Sequence, residues 1–152
     1  MYNDYVISQH EHDDWFNHAL IDSSASYFIF MHEDRPIGFI SFTSMSHLHG
    51  RCFWAFYSGV IDVPRGTGSA MEFFALDHAF LTLKIRKLCC EVFAFNAAVV
   101  KLHEKFGFTQ EGRFIAHYLK NGQYEDIVCL AKFGATWINE RETIKSRVFG
   151  RG

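Results

Sequence analysis

A glycine pair beside a cation precedes an apolar run at residues 64–74, whose sequence is PRGTGSAMEFF. Glycine lets the backbone approach a ligand closely, and consecutive backbone N–H groups can line a concavity that binds anions. If Gly66 and Gly68 open a helix, its unpaired N–H groups and its dipole add to that site, and Arg65 supplies a mobile positive charge. This chemistry suits a pyrophosphate, although the same residues also suit an ordinary turn between a strand and a helix.

Two common phosphate-binding loops do not fit these residues. The Walker loop requires Gly-Lys-Ser/Thr after four spacer residues, and the chain has no such sequence. The dinucleotide-binding fingerprint requires a small residue three positions after Gly68, where this chain has Met71. The pattern that remains is R-G-x-G-x-A, which follows a predicted strand and begins a predicted helix.

A second segment, residues 91–108, combines a carboxylate and an imidazole in the sequence EVFAFNAAVVKLHEKFGF. The pattern predicts a strand that carries Glu91, then a helix with Asn96 as N-cap and Gly107 at its end. His103 follows Asn96 by about two helical turns, or roughly 10 Å along the axis. In this otherwise apolar strand the Glu91 carboxylate is expected to be buried, where it needs a partner or a raised pKa, and either suits a general base. An imidazole is a stronger acid than a tyrosine phenol.

The elements around these segments predict one α+β domain over residues 1–152. A helix is expected from Ile7 to Leu20, followed by three strands of an antiparallel meander with a turn at Glu33–Pro36 and a last strand over 51–61. A helix over 69–80 has Met71, Phe74 and Ala75 on one face, with Glu72 and Asp77 on others. Strand 87–95, helix 96–108 and a hairpin around KNGQ complete the fold, and 137–152 is expected to be a peripheral tail.

Composition excludes several classes of function. The chain has 152 residues, a net charge of −2 and nine histidines, so it lacks the basic surface of a nucleic-acid-binding protein. No apolar run approaches the ~20 residues of a membrane span, and the polar, acidic start is unlike a secretory signal, so a cytoplasmic protein is expected. The pairs His10/His12 and His47/His49 have no third ligand at zinc-like spacing, so we expect no metal.

The two segments together resemble the GNAT superfamily of N-acetyltransferases. Its pyrophosphate loop is described as Q/R-x-x-G-x-G/A, and its strand–helix unit as E-V-x-x-x-N-x-x-A-x-x-L-Y-E-K-x-G-F. This chain has the loop pattern at residues 65–70 and a segment similar to the strand–helix unit at residues 91–108, in that order. The resemblance covers about residues 27–133. It implies a mixed central sheet with a strand splay and flanking helices, and direct transfer of an acetyl group from acetyl-CoA, as cosubstrate, to a primary amine.

The resemblance also implies roles for individual residues. His103 stands where the family usually has the tyrosine that protonates the thiolate, and Glu91 matches a proposed base of the ribosomal-protein acetylases. Alternatively, His103 is a partly exposed helix residue, Glu91 is satisfied structurally, Asn96 only caps its helix and Lys105 is solvated. The residues implied to bind the coenzyme are Arg65, Gly66, Thr67, Gly68, Ser69, Ala70, Asn96, Lys105, Tyr57 and Ser58.

The acceptor is inferred from finer similarities within the superfamily. The segments ISQHEHDDWF and EGRFIAHYLKNGQYEDIVCLAKF resemble the branch that holds ribosomal-protein-type and nucleotide-sugar acetylases. Within this branch, WAFY and LHEKFGF are most similar to acetylases of pseudaminic acid biosynthesis, which implies a UDP-linked 4-amino-dideoxy sugar and a role in flagellin glycosylation. A protein N-terminus, a small amine, or a coenzyme A-binding module without turnover are the alternatives. Family members usually have another strand and helix before Ile7, on the acceptor side, so the chain is expected to lack them through a short gene or a misplaced start. A homodimer is compatible with the resemblance.

Overall fold

The computed structural model describes residues 8–58 and 62–150, which form four α-helices and six strands. The order helix, three strands, helix, strand, helix, two strands is confirmed, and a fourth helix follows. The elements are α1 (Gln9–Ile21), β1 (Ser26–His32), β2 (Arg35–Ser46), β3 (Arg51–Ser58), α2 (Thr67–Asp77), β4 (Lys87–Phe93), α3 (Ala97–Lys105), β5 (Thr109–Lys120), β6 (Gln123–Phe133) and α4 (Gly134–Phe149).

Two expectations from the sequence extend outside the described residues. These are the start of the first helix at Ile7 and the end of the third strand at 59–61. Within the described chain, α1 begins with a capping box, in which the Ser8 side chain accepts from the Glu11 N–H and the Glu11 carboxylate accepts from the Ser8 N–H. This reciprocal pair satisfies two donors at the start of the helix.

The six strands form one mixed sheet in the order β1-β2-β3-β4-β6-β5. All neighbours are antiparallel except β3 and β4, which run parallel. This parallel pair is short: its register covers Arg51↔Lys87, Cys52↔Leu88 and Phe53↔Cys89. The strands continue to Ser58 and Phe93, so in the described chain they separate beyond the third pair, and the predicted splay is confirmed.

Two tight turns explain the hairpins that were predicted from the sequence. Glu33 and Asp34 both have positive φ, 49° and 62°, between β1 and β2. Asn121 and Gly122, with φ of 51° and 80°, connect β5 and β6 in the same way. Two central residues with positive φ match the twist of antiparallel strands, and Asn-Gly and Asp-rich sequences adopt this conformation most readily.

Helix α2 presents a different face to the core from the one that the spacing predicted. Met71, Ala75 and Leu76 are buried, but Phe74 is 51% exposed and Glu72 is fully buried. The prediction that Glu72 lies on a face away from the core is therefore wrong. A five-residue π-helical turn, His78–Thr82, continues the helix and carries buried Ala79 and Phe80.

The C-terminal residues differ from the expected peripheral tail. Residues 134–149 form α4, in which Trp137 and Ile144 are 0% and 5% exposed. The Trp137 indole donates to Asp77 of α2, and Arg141 pairs with the same carboxylate. These two buried apolar side chains and the polar contacts to Asp77 pack α4 against α2.

Candidate functional site: the splay and the ends of two helices

The glycine segment forms the start of α2. Gly66 precedes the helix with φ of 91°, a conformation that glycine adopts readily. The Thr67 hydroxyl donates to the Pro64 carbonyl oxygen at 2.6 Å, and no side chain caps the helix. The Thr67 N–H donates to the Pro64 carbonyl oxygen and the Ala70 N–H to that of Gly66, whereas the Gly68 and Ser69 N–H groups have no such partner among the described residues. A Cβ added at Gly66 would meet no atom within 4 Å. Exposed Arg65 lies beside this open backbone.

His103 forms a buried hydrogen bond with a residue that the sequence analysis did not select. Its Nδ1 lies 2.8 Å from Oε1 of Glu72, and the two residues are 3% and 0% exposed. The interpretation of His103 as a partly exposed helix residue is therefore wrong. Burial raises the pKa of the Glu72 carboxyl, whereas the hydrogen bond from His103 and the charge of Lys132 act in the opposite direction.

Aromatic side chains surround the imidazole at the point where the sheet opens. The ring centroids of Trp54 and Phe56 lie 5.3 Å and 6.0 Å from that of His103, with their planes at 63° and 81°. Phe108 closes another side at 5.3 Å. Phe53 is the last β3 residue paired with β4. Trp54 follows it directly and Phe56 comes two residues later, so His103 lies beneath the splay.

Glu91 of β4 also lies near the splay, but on the face of the sheet opposite to His103. Successive β-strand side chains alternate between faces, and the neighbours of Glu91, Cys90 and Val92, belong to the core between the sheet and the helices. Glu91 itself is exposed and is paired in register with Cys129 of β6. The expectation of a buried carboxylate is wrong because this face of β4 is open at residue 91.

Asn96 and Lys105 occupy the two ends of α3. Asn96 is the N-cap residue of α3, as the sequence predicted, but its exposed side chain makes no capping hydrogen bond. Its carbonyl oxygen accepts from the Val99 and Val100 N–H groups. Lys105 is exposed in the last turn, and its carbonyl oxygen accepts from Arg147.

Tyr57 and Ser58 lie at the end of β3, beyond the parallel pair. On one side this segment pairs with β2, through Phe39↔Tyr57 and Gly38↔Ser58. The other backbone edge faces the splay. Both residues are exposed, and the Ser58 hydroxyl donates to the Ile37 carbonyl oxygen at 3.2 Å. The backbone beyond Phe53 is therefore placed where an extended ligand could enter between β3 and β4.

An aromatic surface lies on the α1 side of the sheet. Trp15 of α1 packs edge-on against Tyr27, and the Phe39 ring lies between Tyr27 and Tyr57 with centroids 5.8 Å and 5.7 Å away. Trp15 and Tyr57 are 44% and 50% exposed. Burial and the nearby Asp22 carboxylate raise the pKa of Tyr27. Aromatic rings and carboxylates thus occur together beside the end of β3.

Metal centres and membrane-spanning helices are both absent from the described residues. Across residues 8–58 and 62–150, no group of three or more His, Cys, Asp or Glu side chains is arranged to hold a metal ion. In the same residues, no helix is both long and apolar enough to cross a membrane.

Comparison with known families identifies the fold. A family model described as acetyltransferase (GNAT) domain matches residues 1–109. The chain belongs to the GNAT acetyltransferase family. The fold and the acetyl-CoA-dependent N-acetyltransferase activity that the sequence resemblance implied are therefore confirmed, and the GNAT splay between β3 and β4 accounts for the short parallel pairing.

Individual GNAT proteins similar to this chain are known. Spermidine N(1)-acetyltransferase of Escherichia coli K12 is 23% identical over 133 residues, 88% of this chain and 72% of the relative. An uncharacterized SPbeta prophage-derived N-acetyltransferase, YokL of Bacillus subtilis, is 35% identical over 85 residues, 55% of this chain and 46% of that protein. The crystal structure of Vibrio cholerae spermidine N-acetyltransferase with CoA and spermine has a TM-score of 0.85, 21% identity and coverage of 91% and 82%.

Proposed function

We propose that this GNAT enzyme acetylates a primary amine of a small polycation of the polyamine class. The observation that carries the proposal is the similarity to spermidine N(1)-acetyltransferases over 88% of the chain. The UDP-linked amino sugar expected from the sequence has no support from these relatives. A polyamine is a flexible chain of ammonium groups, so its recognition requires negative charge and surfaces that accept cations.

Helix α1 has the charge that such an acceptor needs. Its sequence, QHEHDDWFNHALI, contains Glu11, Asp13 and Asp14 and no lysine or arginine. All three carboxylates are exposed. Because exposed carboxylates raise the local concentration of a polycation at low salt, this helix favours a polyamine over an anionic UDP-sugar.

The aromatic surface beside α1 supplies the second element of recognition. The exposed rings of Trp15 and Tyr57 lie on the face where Glu91 is also exposed. An ammonium group over an aromatic face is attracted by about 0.5–1 kcal/mol at an exposed position. We therefore assign this face to the acceptor and Glu91 to the base that removes the amine proton, directly or through water.

The opposite side of the splay is assigned to acetyl-CoA. The backbone from Gly66 to Ala70 holds the pyrophosphate with Arg65, the edge of β3 near Tyr57 and Ser58 pairs with the pantetheine arm, and Asn96 contacts that arm. His103 supplies the proton that the leaving thiolate needs. In this arrangement the base and the acid approach the thioester from opposite faces of the sheet.

The substitution Gly68→Asp tests the pyrophosphate assignment. A Cβ at Gly68 would lie 3.5 Å from Leu102 Cδ2, an ordinary contact, so the fold accommodates a side chain there. The added carboxylate would repel the pyrophosphate, and we expect the Kd for acetyl-CoA to rise about tenfold, or ~1.4 kcal/mol. Titration calorimetry with acetyl-CoA measures this change.

Gly68→Asn is the matched control because asparagine has nearly the same size and no charge. Its Kd should lie close to that of the wild type, and the difference between the two variants should shrink as salt is raised. Equal affinities for the Asp and Asn variants at low salt would show that no anionic part of the coenzyme lies at this loop.

An acceptor panel tests the proposed substrate class. Release of coenzyme A is measured with spermidine, a monoamine, a peptide with a free N-terminus and a UDP-4-amino sugar. We expect kcat/KM for spermidine to exceed that for the monoamine by at least about tenfold, because each additional ammonium group gains electrostatic attraction from α1. Added salt should lower the spermidine value more than the monoamine value.

The other outcomes of the panel identify the rival functions. Turnover on the peptide or on the UDP-sugar alone would contradict the polyamine proposal and identify that acceptor class. Binding of acetyl-CoA without turnover on any acceptor would indicate a coenzyme A-binding module. A spermidine rate that does not depend on salt would contradict the role given to α1.

A further inference from the structure

The carboxylate of Glu72 connects the proposed coenzyme loop to the proposed acid. Gly68 and Glu72 lie one turn apart on α2, and they face consecutive residues of α3, Leu102 and His103. The hydrogen bond between Glu72 Oε1 and His103 Nδ1 is 2.8 Å long. The position of the imidazole is thus set by the helix whose first turn would hold the pyrophosphate.

This pair is removed from water and has few compensating charges. The second carboxylate oxygen, Oε2, is buried and has no hydrogen-bond partner. The imidazole is enclosed by uncharged rings, Trp54 and Phe56 of β3 and Phe108 after α3. A buried carboxylate in such surroundings is costly unless a proton or a cation neutralises it.

The other titratable groups that face the pair come from two strands. Cys90 of β4 lies close to Glu72, and burial holds the pKa of its thiol well above the usual value. Lys132 of β6 is buried and favours the charged carboxylate, but its Nζ is 2.7 Å from Glu140 of α4. Neither group neutralises Glu72 fully, and burial keeps the pKa of the carboxyl raised.

A carboxylate beside a neutral imidazole carries one negative charge, so the pair becomes neutral when it binds one additional proton. That proton can reside on the imidazole, which then carries N–H groups at both nitrogens. It can also reside on the carboxyl, which then donates to Nδ1 while Nε2 carries the imidazole hydrogen. In both forms Nε2 carries a proton. The neutral pair, which burial favours, can therefore always donate a proton from Nε2.

We propose that Glu72 is a positioning residue for the thiolate acid: its hydrogen bond to Nδ1 holds a proton on Nε2 of His103 for delivery to the coenzyme sulfur. The inference rests on the assignment of His103 as that acid and not on the identity of the amine. When the C–S bond of the tetrahedral intermediate breaks, sulfur takes the electron pair and a bond forms between sulfur and the Nε2 proton. The pair is left with Nδ1–H, a carboxylate and one negative charge, and it recovers a proton from water.

The variant Glu72→Gln tests this role because it keeps the shape and removes the charge. The amide oxygen accepts from Nδ1–H, so a neutral imidazole in this variant has no proton on Nε2, and kcat should fall about tenfold while KM for acetyl-CoA stays unchanged. The alkaline limb of the pH–rate profile should move to lower pH, since the carboxylate no longer retains the proton. Rates are measured with the best amine of the panel, so a failure of the polyamine proposal does not affect this test.

Two control experiments distinguish a positioning role of Glu72 from a purely structural role. Glu104→Gln, next to His103 on α3 but exposed, should leave kcat and the pH profile unchanged. In a His103→Phe background, Glu72→Gln should cause no further loss of kcat, because Glu72 acts through the imidazole. An equal loss in both backgrounds would overturn the proposal.

A measurement on the ligand-free protein provides a readout that does not depend on turnover. Long-range ¹H–¹⁵N correlation of the imidazole, assigned with His103→Phe, reports which nitrogen carries a proton. We expect Nε2 of the wild type to be protonated at neutral pH, and to lose its proton only at higher pH than in Glu72→Gln. An unprotonated Nε2 in the wild type at neutral pH would overturn the proposal. This test remains possible if Glu72→Gln does not fold, because it uses the wild type.

Discussion

Replacing His103 with phenylalanine is expected to lower kcat for acetyl transfer by about a hundredfold and to leave the Kd for acetyl-CoA unchanged. Phenylalanine keeps an aromatic ring between Trp54 and Phe108, but it has no N–H to donate to the leaving sulfur. Because the coenzyme contacts assigned to α2 and β3 remain, binding should persist. Single-turnover rates and calorimetry with acetyl-CoA separate the two effects. A kcat within about threefold of the wild type would show that the thiolate leaves without this acid.

The same variant has a predictable effect on stability. Without the imidazole, Glu72 keeps the burial that raises the pKa of its carboxyl and loses the hydrogen bond that lowers it. The folded state then favours the protonated carboxyl, so the free energy of unfolding should decrease as the pH rises through the folded-state pKa. The double variant with Glu72→Gln removes this carboxyl. It should recover stability at neutral pH and keep the low kcat, which distinguishes loss of the acid from partial unfolding.

The sequence predicted the parts of the site that depend on local patterns. The loop at Gly66 and Gly68, the strand that carries Glu91 and the helix that carries His103 could be identified because turn residues and spacing determine them. The hairpin at Asn121 and Gly122 is a similar case, since Asn-Gly favours positive φ at both positions.

The partners of these residues could not be predicted because tertiary contacts determine them. Glu72 lies in the apolar run SAMEFFAL, where an acidic residue suggests an exposed face of the helix. Its burial is stabilised by a hydrogen bond with His103, which comes from another helix and could not be predicted from this run. The sequence contained one signal for this contact: Glu72 lies one helical turn after Gly68, on the side of α2 that contacts α3. Glu91 shows the opposite error, since an apolar strand predicts burial on both faces and β4 is open at that residue.

The second large effect is expected for the C-terminal helix and concerns the stability of the protein. The Trp137 side chain is fully buried, packs on Phe73 with ring centroids 5.4 Å apart, and donates from Nε1 to Asp77 Oδ1 at 3.0 Å. Trp137→Ala removes the largest buried side chain of α4 and leaves a cavity against α2. We expect the free energy of unfolding to fall by about 3–5 kcal/mol, measured by urea denaturation.

Ile138→Ala is the matched control, because Ile138 is the next residue of α4 and is 63% exposed. Its effect should stay within about 0.5 kcal/mol. Trp137→Phe separates packing from hydrogen bonding: it keeps most of the ring contact with Phe73 and loses the bond to Asp77, at a cost of about 1–3 kcal/mol. If Trp137→Ala were as mild as Ile138→Ala, α4 would unfold independently of the sheet and residues 137–152 would behave as the peripheral tail expected from their composition. The large difference that we expect would make α4 a support of α2, the helix that carries both the loop assigned to the coenzyme and Glu72.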